Sequence, residues 1–299
     1  MSINFAGVYP AITTPFDSNG NVDAGFLGAH CQWMVEHGCH GIVPLGSLGE
    51  GATLSTDEKD GILRTCVEAV GSQVPIVPGI SSLSTREAVE FARDAEAIGC
   101  KGLMALPPYV YSTDWREMRA HVAAILGATG LPCILYNNPV AYKTDFLPQQ
   151  IAELASEFPN LVAVKESSGD IRRITGIKEL IGDRLTIMVG LDDLIVEGIY
   201  AGATGWIAGL VNAFPLESVR LWQYALSGDR NQVDSLYHWF LPLLRLDTVP
   251  KFVQLIKLTQ EMVGMGSSRV RPPRLVLEGA ELEAATAVIK RAMADRPQM

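Results

Sequence analysis

The chain is organised around the stretch Leu161-Val162-Ala163-Val164-Lys165-Glu166-Ser167-Ser168-Gly169-Asp170. Its short apolar run, bounded by turn residues, predicts a parallel strand that is buried on both faces. The strand runs into Lys165, and burying an ammonium group costs free energy unless its pKa falls or a partner neutralises it. A desolvated lysine is a candidate Schiff-base nucleophile. The structural alternative is a side chain that extends its amine to the strand's end or pairs with Glu166.

Composition excludes several classes of protein. The chain has 299 residues, of which 48% are hydrophobic, so it can bury a large core. No apolar run approaches the ~20 residues of a membrane span, and the N-terminus lacks a signal segment, so we expect no membrane partner. The net charge of −9 argues against a nucleic-acid partner. The pI of about 5.1 is ordinary for a cytoplasmic enzyme, and the cytoplasm is the location we expect.

The cysteines and histidines predict no metal site. The five cysteines never form a Cys-x-x-Cys pair, so we expect reduced core residues and not a disulfide framework or a zinc site. His37 and His40 flank Cys39, but they lack the spacing of metal ligands. We therefore expect neither a metal nor a cofactor.

Strand-like runs and helical patterns alternate along most of the chain. The eight runs are Val8–Phe16, Gly41–Gly46, Pro75–Ile80, Gly102–Pro107, Pro132–Pro139, Leu161–Lys165, Leu185–Gly190 and Gly205–Leu210. The helical patterns between them include Asp23–His37, Thr56–Val70, Ser84–Ile98 and Asp114–Leu126, each followed by a glycine suited to end a helix. This repetition predicts an α/β fold of the (β/α)8 TIM-barrel type. A doubly wound sheet is disfavoured, because no Gly-x-Gly-x-x-Gly turn follows the first run.

The chain continues past the eighth run for longer than one barrel helix requires. Helical patterns at Leu216–Leu226, Gln232–Leu246, Lys251–Val263 and Glu281–Ala294 predict a C-terminal helical appendage. We therefore expect a barrel core over residues 1–213. A final barrel helix and a C-terminal helical region would occupy residues 214–299, without a linker between the two parts.

Polar residues fall where the predicted strands end, and in a barrel of this kind those ends build the active site. The second run ends in Gly46-Ser47-Leu48-Gly49-Glu50-Gly51, whose backbone amides and hydroxyl suit a carboxylate or a phosphate. The fifth ends in Tyr136-Asn137-Asn138-Pro139, where the tyrosine is either a proton relay or an apolar cap. The last two carry Gly190-Leu191-Asp192-Asp193 and Gly205-Trp206-Ile207-Ala208-Gly209.

As a set, these motifs and Val164-Lys165-Glu166 resemble the dihydrodipicolinate synthase / N-acetylneuraminate lyase family. The resemblance also takes in Val8–Pro15 and Gly202-Ala203-Thr204-Gly205, so it reaches from the first predicted strand to the eighth. It implies a Schiff-base (class I) aldolase or dehydratase on a (β/α)8 barrel with added C-terminal helices. It also implies a homotetramer.

The resemblance implies a role for each motif. Lys165 would attack the ketone of a 2-oxo acid, and Tyr136 would move protons with the help of the Ser47 hydroxyl. The substrate carboxylate would bind the backbone amides of Ser47 and Leu48 beside Gly46, and the carbonyl of Ile207 would face the substrate. A protonated imine withdraws electrons, so it acidifies the next carbon or weakens the following C–C bond.

Three departures from the family's pattern bear on the substrate. Dihydrodipicolinate synthases carry a second threonine where this chain has Leu48, which removes a hydroxyl from the tyrosine relay. They carry an arginine for the carboxylate of the semialdehyde where this chain has Ala141. The second tyrosine of their Tyr-Tyr pair falls on Val110, although Tyr109 and Tyr111 flank it. These losses disfavour dihydrodipicolinate synthesis.

Gly190-Leu191-Asp192-Asp193 indicates a different substrate. It is similar to the Gly-x-Asp-Glu that N-acetylneuraminate lyases use on a hydroxylated tail, although Asp192 and Asp193 would also suit the start of a helix. We therefore expect a 2-oxo acid, or its cyclic imine, with a hydroxyl at C4. Dehydration or deamination is slightly preferred over retro-aldol cleavage because of Leu48. Dihydrodipicolinate synthesis is the alternative, and a non-catalytic family member is disfavoured because Lys165 and Tyr136 are both present.

Overall fold

A computed structural model describes residue 3, residues 5–108 and residues 114–298. The expected departure at Val110, with its neighbours Tyr109 and Tyr111, falls outside these residues. The strands and helices given below are those of the described part of the chain.

Seven parallel strands form one curved sheet. They are β1 Gly7–Pro10, β2 Gly79–Ile80, β3 Leu103–Ala105, β4 Cys133–Asn137, β5 Leu161–Glu166, β6 Thr186–Val189 and β7 Gly205–Ala208. Their order in the sheet is β1-β7-β6-β5-β4-β3-β2. Consecutive strands therefore lie side by side, except that the first strand pairs directly with the last.

The second predicted strand, Gly41–Gly46, is wrong as an extended strand. Only Ile42 and Val43 pair, through single bridges to Ile76 and Ala11. Pro44 has no N–H to donate, and Leu45 adopts a left-handed φ of 65°, so the extended conformation ends there. The segment still joins the two outer strands: the Val43 N–H donates to the Pro10 carbonyl, and the Pro44 carbonyl accepts from the N–H at the start of β2. Residues 42–44 thus stand in the place of the eighth strand.

Helices cover the outside of the sheet and fill the C-terminal region. They are α1 Ala24–Glu36, α2 Thr56–Val70, α3 Thr85–Ile98, α4 Trp115–Leu126, α5 Pro139–Tyr142, α6 Pro148–Glu157, α7 Arg172–Ile181, α8 Ile195–Tyr200, α9 Pro215–Ser227, α10 Arg230–Leu244, α11 Phe252–Met262 and α12 Gly279–Ala294. The α/β class and the four predicted C-terminal helices are confirmed. The division at residue 213 stays a prediction. Among the described residues, no helix combines the length and apolar character needed to span a membrane.

Local sequence sets the limits of the helices. Ser55 and Glu58 form a capping box, in which each side chain accepts from the other's backbone N–H, and α2 begins between them. Gly71, Gly99 and Gly127 are C-caps, as predicted. The C-cap of α1 is instead His37, one residue before Gly38.

The strands separate two apolar clusters. The larger lies between the sheet and the helices. The smaller is enclosed by the sheet and contains Ile134, Tyr136 and Ala163, among others. Because side chains alternate along a strand, Lys165 lies on the same enclosed face as Ala163. The sheet therefore directs the lysine inward and leaves Val164 to pack on the helices.

Candidate active site

The C-terminal ends of the strands surround a cavity of about 460 Å³. It is lined by seven of the nine residues that the sequence predicts for the site: Gly46, Ser47, Leu48, Tyr136, Lys165, Gly190 and Ile207. Asp192 and Asp193 do not line it. The fold thus gathers residues from five separate stretches of the chain around one space.

Lys165 projects from β5 into this cavity and is 6% exposed. It pairs in register with Tyr136 of β4, and its Nζ lies 4.2 Å from the centre of the tyrosine ring. Glu166 points to the other face of the strand, where its carboxylate accepts from Asn137 at 3.1 Å and from the Ser168 N–H at 2.7 Å. Burial raises the pKa of Glu166. In the described residues Lys165 has no salt bridge, so the predicted alternative of a Lys165–Glu166 pair is not found.

Gly190 leaves the space that the lysine occupies. A Cβ atom at this position would lie 2.7 Å from Cε of Lys165 and 1.9 Å from Oγ of Ser167. Real Cβ atoms do not approach other atoms so closely, so any side chain here would displace the lysine. The glycine that follows β6 is therefore required by the packing of the Lys165 and Ser167 side chains.

Two tyrosines lie side by side in the cavity wall. The Tyr136 hydroxyl accepts from Asn138 at 3.0 Å, and its ring meets that of Tyr142 edge-on, with centroids 5.8 Å apart. Ser47 forms its side-chain hydrogen bond with the hydroxyl of Tyr142. Tyr142 belongs to the one-turn helix α5, which the sequence analysis missed. Its hydroxyl thus gives the cavity wall a second hydroxyl beside that of Ser47, although Leu48 has none.

The loop Gly46–Gly51 lies across the cavity from Lys165. Three strands separate β5 from residues 42–44 in either direction around the sheet. The loop is held by Glu50, which has a left-handed φ of 55° and accepts from Lys257 at 2.6 Å and from the Arg271 N–H at 3.0 Å. Glu50 and Lys257 are both buried, and burial lowers the pKa of Lys257. A ligand between the loop and Lys165 would contact both.

The two predicted aspartates lie behind the cavity wall. Asp192 is fully buried and accepts from the Trp206 ring at 3.0 Å and from the N–H groups of Gly209 and Leu210 at 3.1 and 2.7 Å. Burial raises the pKa of Asp192 to about 6 in spite of these bonds. Asp193 lies 4.0 Å from the Arg245 guanidinium. Asp192 thus holds the end of β7, and a contact of either aspartate with substrate stays a prediction.

Two charged residues of the C-terminal region line the cavity without having been predicted: Asp247 and Arg274. Arg274 lies 3.8 Å from the carboxylate of Glu50 and is, with Lys165, one of two cations in the lining among the described residues. No local sequence pattern predicts that either residue lies in the site. Each lines the cavity only because the helices that follow the sheet pack against it.

The arrangement suits covalent chemistry on a carbonyl compound. A buried amine lies beside a phenol, and a loop with backbone amides faces them across the cavity. An anion held by such amides would place a neighbouring carbonyl against the amine, which converts a bimolecular encounter into an oriented one. Within the described ranges no group of three or more histidine, cysteine, aspartate or glutamate side chains is placed to hold a metal ion.

Comparisons of the whole chain with known proteins give relatives of one kind. The sequence model of the dihydrodipicolinate synthetase family matches residues 4–292. The chain is 32% identical to the 4-hydroxy-tetrahydrodipicolinate synthase of Chelativorans sp. over 96% of its length and 98% of the relative's. The corresponding enzyme of Methanopyrus kandleri is 33% identical, with 91% of each chain covered.

Solved structures agree with these relatives. The 4-hydroxy-tetrahydrodipicolinate synthase of Methylacidiphilum fumariolicum superposes with a TM-score of 0.91, at 28% identity and with 98% of each chain covered. The chloride-inhibited dihydrodipicolinate synthase of Acinetobacter baumannii, in complex with pyruvate, gives 0.91 at 27% identity, with 97% of this chain and 99% of that one covered.

Proposed function

The chain belongs to the dihydrodipicolinate synthetase family, and we propose that it is a class I (lysine-imine) lyase that acts on a 2-oxo acid. The observation that carries the proposal is the buried Lys165 amine, 4.2 Å from the centre of the Tyr136 ring, in a cavity at the strand ends. The pyruvate complex of the Acinetobacter relative supports a 2-oxo acid as the ligand. The same family supports a (β/α)8 barrel, with residues 42–44 as the eighth strand.

Six residues of the cavity have a role in this mechanism. The backbone amides of Ser47 and Leu48 hold the substrate carboxylate, and the Ile207 carbonyl faces the carbon chain. Lys165 attacks the C2 ketone, and the carbinolamine loses water to give a protonated imine. Tyr136 moves protons between this centre and the substrate's oxygens, with Ser47 and Tyr142 as the hydroxyl pair beside it.

The substrate of our first choice is a 2-oxo acid, or its cyclic imine, with a hydroxyl at C4. Ala141 lines the cavity without charge, so a distal carboxylate finds no cation at that position. From the imine, loss of a C3 proton gives an enamine that expels the C4 substituent. Retro-aldol cleavage of C3–C4 is the other route for the same substrate. The preference for elimination that rested on Leu48 is weaker, because Tyr142 supplies a hydroxyl beside Ser47.

Dihydrodipicolinate synthesis, the condensation of pyruvate with aspartate semialdehyde, is the second candidate. The names of the curated relatives favour it over our first choice. One feature of the cavity also favours it: Arg274 supplies a cation in the lining, where Ala141 supplies none. A guanidinium binds a carboxylate through two parallel hydrogen bonds, so Arg274 would suit the semialdehyde's carboxylate.

A panel of substrates separates the two candidates. The purified enzyme is given 4-hydroxy-1-pyrroline-2-carboxylate, 2-oxo-3-deoxy sugar acids, or pyruvate with aspartate semialdehyde, and pyruvate and ammonia release are followed separately. Turnover of a C4-hydroxy substrate supports the first candidate. Condensation alone, lost in Arg274→Ala and partly retained in Arg274→Lys, supports the second.

We also propose a cytoplasmic homotetramer, which rests on the family resemblance. Light scattering coupled to gel filtration measures the mass of the assembly. A monomer or a dimer would contradict the proposal.

A further inference from the structure

Asp247 is a cavity-lining carboxyl group that the mechanism above does not use. It ends the 3-10 turn Arg245–Asp247, between α10 and α11. Its Oδ1 atom is inaccessible to solvent and, within the described residues, has no hydrogen-bond partner. The carboxyl group packs on the end of β7, where a Cβ atom at Gly209 would lie 2.0 Å from Oδ1. A buried polar atom without a partner is costly, so a carboxyl group kept in this state in the lining of the cavity points to a function there.

The charges around Asp247 determine which carboxyl group of the region holds a proton. Asp192 and Asp193, which follow β6, and Lys165 on β5 lie near enough for their charges to act on it. Asp192 accepts from the Trp206 ring and from two backbone N–H groups, all of which favour its ionised form. Asp247 has no such donor at Oδ1, and its burial, followed by the charge of Asp192, raises its pKa well above the ordinary value. Of the two carboxyl groups, Asp247 is therefore the one whose contacts favour the protonated form.

The sheet order places Asp247 opposite the tyrosine. Lys165 lies on β5 and Tyr136 on the adjacent β4, whereas Gly209, against which Asp247 packs, follows β7 on the other side of the lysine. A carbon chain attached to Lys165 thus has a phenol on one flank and a carboxylic acid on the other. Elimination across two carbons needs a base at one and an acid at the next.

We infer that Asp247 is the general acid that protonates the C4 oxygen of the substrate as it leaves, an inference that rests on the proposed lysine-imine function. The C3–H bond of the imine breaks first, and the proton passes to water, with the Tyr136 hydroxyl as a relay, to leave an enamine. The enamine electron pair then forms the C3–C4 double bond while the C4–O bond breaks. The oxygen takes that bond's electron pair and the Asp247 proton and departs as water. The proton lost from C3 restores Asp247, so the step is balanced.

Asp247→Asn tests this role with a matched control. Asp60 on α2 also has a solvent-inaccessible oxygen without a partner in the described residues and a pKa raised by burial, but it lies outside the cavity lining. Each variant is assayed for exchange of the pyruvate methyl hydrogens in D2O, which requires the imine and C3 deprotonation but no acid at C4. Each is also assayed for elimination from a 4-hydroxy-2-oxo acid and from its 4-fluoro analogue, because fluoride leaves without a proton.

We expect Asp247→Asn to retain pyruvate exchange and fluoride release, and to lose ~10²–10⁴-fold in elimination of the hydroxyl. Asp60→Asn should match the wild type in all three reactions. In the wild type, elimination of the hydroxyl should decline as the pH rises through the pKa of Asp247, whereas fluoride release should lack that decline.

Three results would overturn the inference. They are equal losses of exchange and elimination in Asp247→Asn, a normal rate of hydroxyl elimination in that variant, and a wild type that exchanges pyruvate but eliminates from no 4-hydroxy-2-oxo acid. If the wild type does not exchange pyruvate at all, the lysine-imine function itself fails.

Discussion

Gly190→Ala tests whether the placement of the Lys165 amine sets the rate. The added methyl would lie 1.9 Å from Oγ of Ser167, which has to rotate away, and 2.7 Å from Cε and 2.9 Å from Cγ of the lysine. Carbon atoms in contact are separated by ~3.5–4.0 Å, so the lysine has to move by about 1 Å. A displacement of about 1 Å costs ~10²-fold in rate when reacting groups must be aligned. We therefore expect pyruvate methyl exchange in D2O, followed by NMR, to slow by about that factor.

Two glycine variants separate misplacement of the lysine from general damage. A Cβ atom at Gly41 would lie 2.1 Å from the Tyr9 ring, which lies outside the cavity lining, so Gly41→Ala should destabilise the fold by ~1–3 kcal/mol without slowing exchange in the folded protein. At Gly61 on α2 the Cβ would meet nothing within 4 Å, so Gly61→Ala should stabilise by ~0.5–1 kcal/mol. Wild-type exchange in a folded Gly190→Ala variant would refute the reasoning.

Three further predictions concern the tyrosine, the loop and a buried histidine. Tyr136→Phe removes only a hydroxyl, so turnover should fall by ~10²–10⁴-fold with little change in thermal unfolding; normal turnover would make Tyr136 a packing residue. Lys257→Met leaves Glu50 buried without its 2.6 Å partner, so urea unfolding should show a loss of ~3–5 kcal/mol in the free energy of unfolding. Adding Glu50→Gln in the same chain should restore part of that loss. If the two substitutions instead lower the free energy of unfolding additively, the pairing is contradicted. Burial lowers the pKa of His30 from 6.5 to about 4. Its contribution to the free energy of unfolding is full above pH 6.5 and declines by about 3 kcal/mol as the pH falls towards 4. His30→Gln should therefore flatten the plot of unfolding free energy against pH between these values. An unchanged slope in the variant would be contrary evidence.

The α/β class and the cavity position of Lys165 could be predicted from the sequence because their signals are local. Residues adjacent in the sequence predict the strand that runs into Lys165. They also predict the limits of helices, as Ser55 and Gly71 do for α2. The second strand was mispredicted because its residues are apolar, as those of a buried strand are. The apolar pattern does not show that Pro44 lacks an N–H to donate or that Leu45 adopts a left-handed φ.

Other parts of the site depend on tertiary packing and had no local signal. Tyr142 meets Ser47 only because the one-turn helix α5 follows β4. The sequence predicts that Asp192 contacts the substrate. In the structure it is buried instead, and it accepts hydrogen bonds from Trp206 of β7 and from the backbone just after β7. Asp247 and Arg274 belong to the C-terminal region, for which the sequence pattern predicts only helices. In the structure both line the cavity.

The covalent step is the centre of this account, and reductive trapping measures it directly. The enzyme is incubated with pyruvate and sodium borohydride, digested, and its peptides are weighed by mass spectrometry. The account predicts loss of activity and the mass of a reduced pyruvate adduct on the peptide that contains Lys165. An adduct on Lys143, Lys251 or Lys257, or no adduct at all, would contradict it.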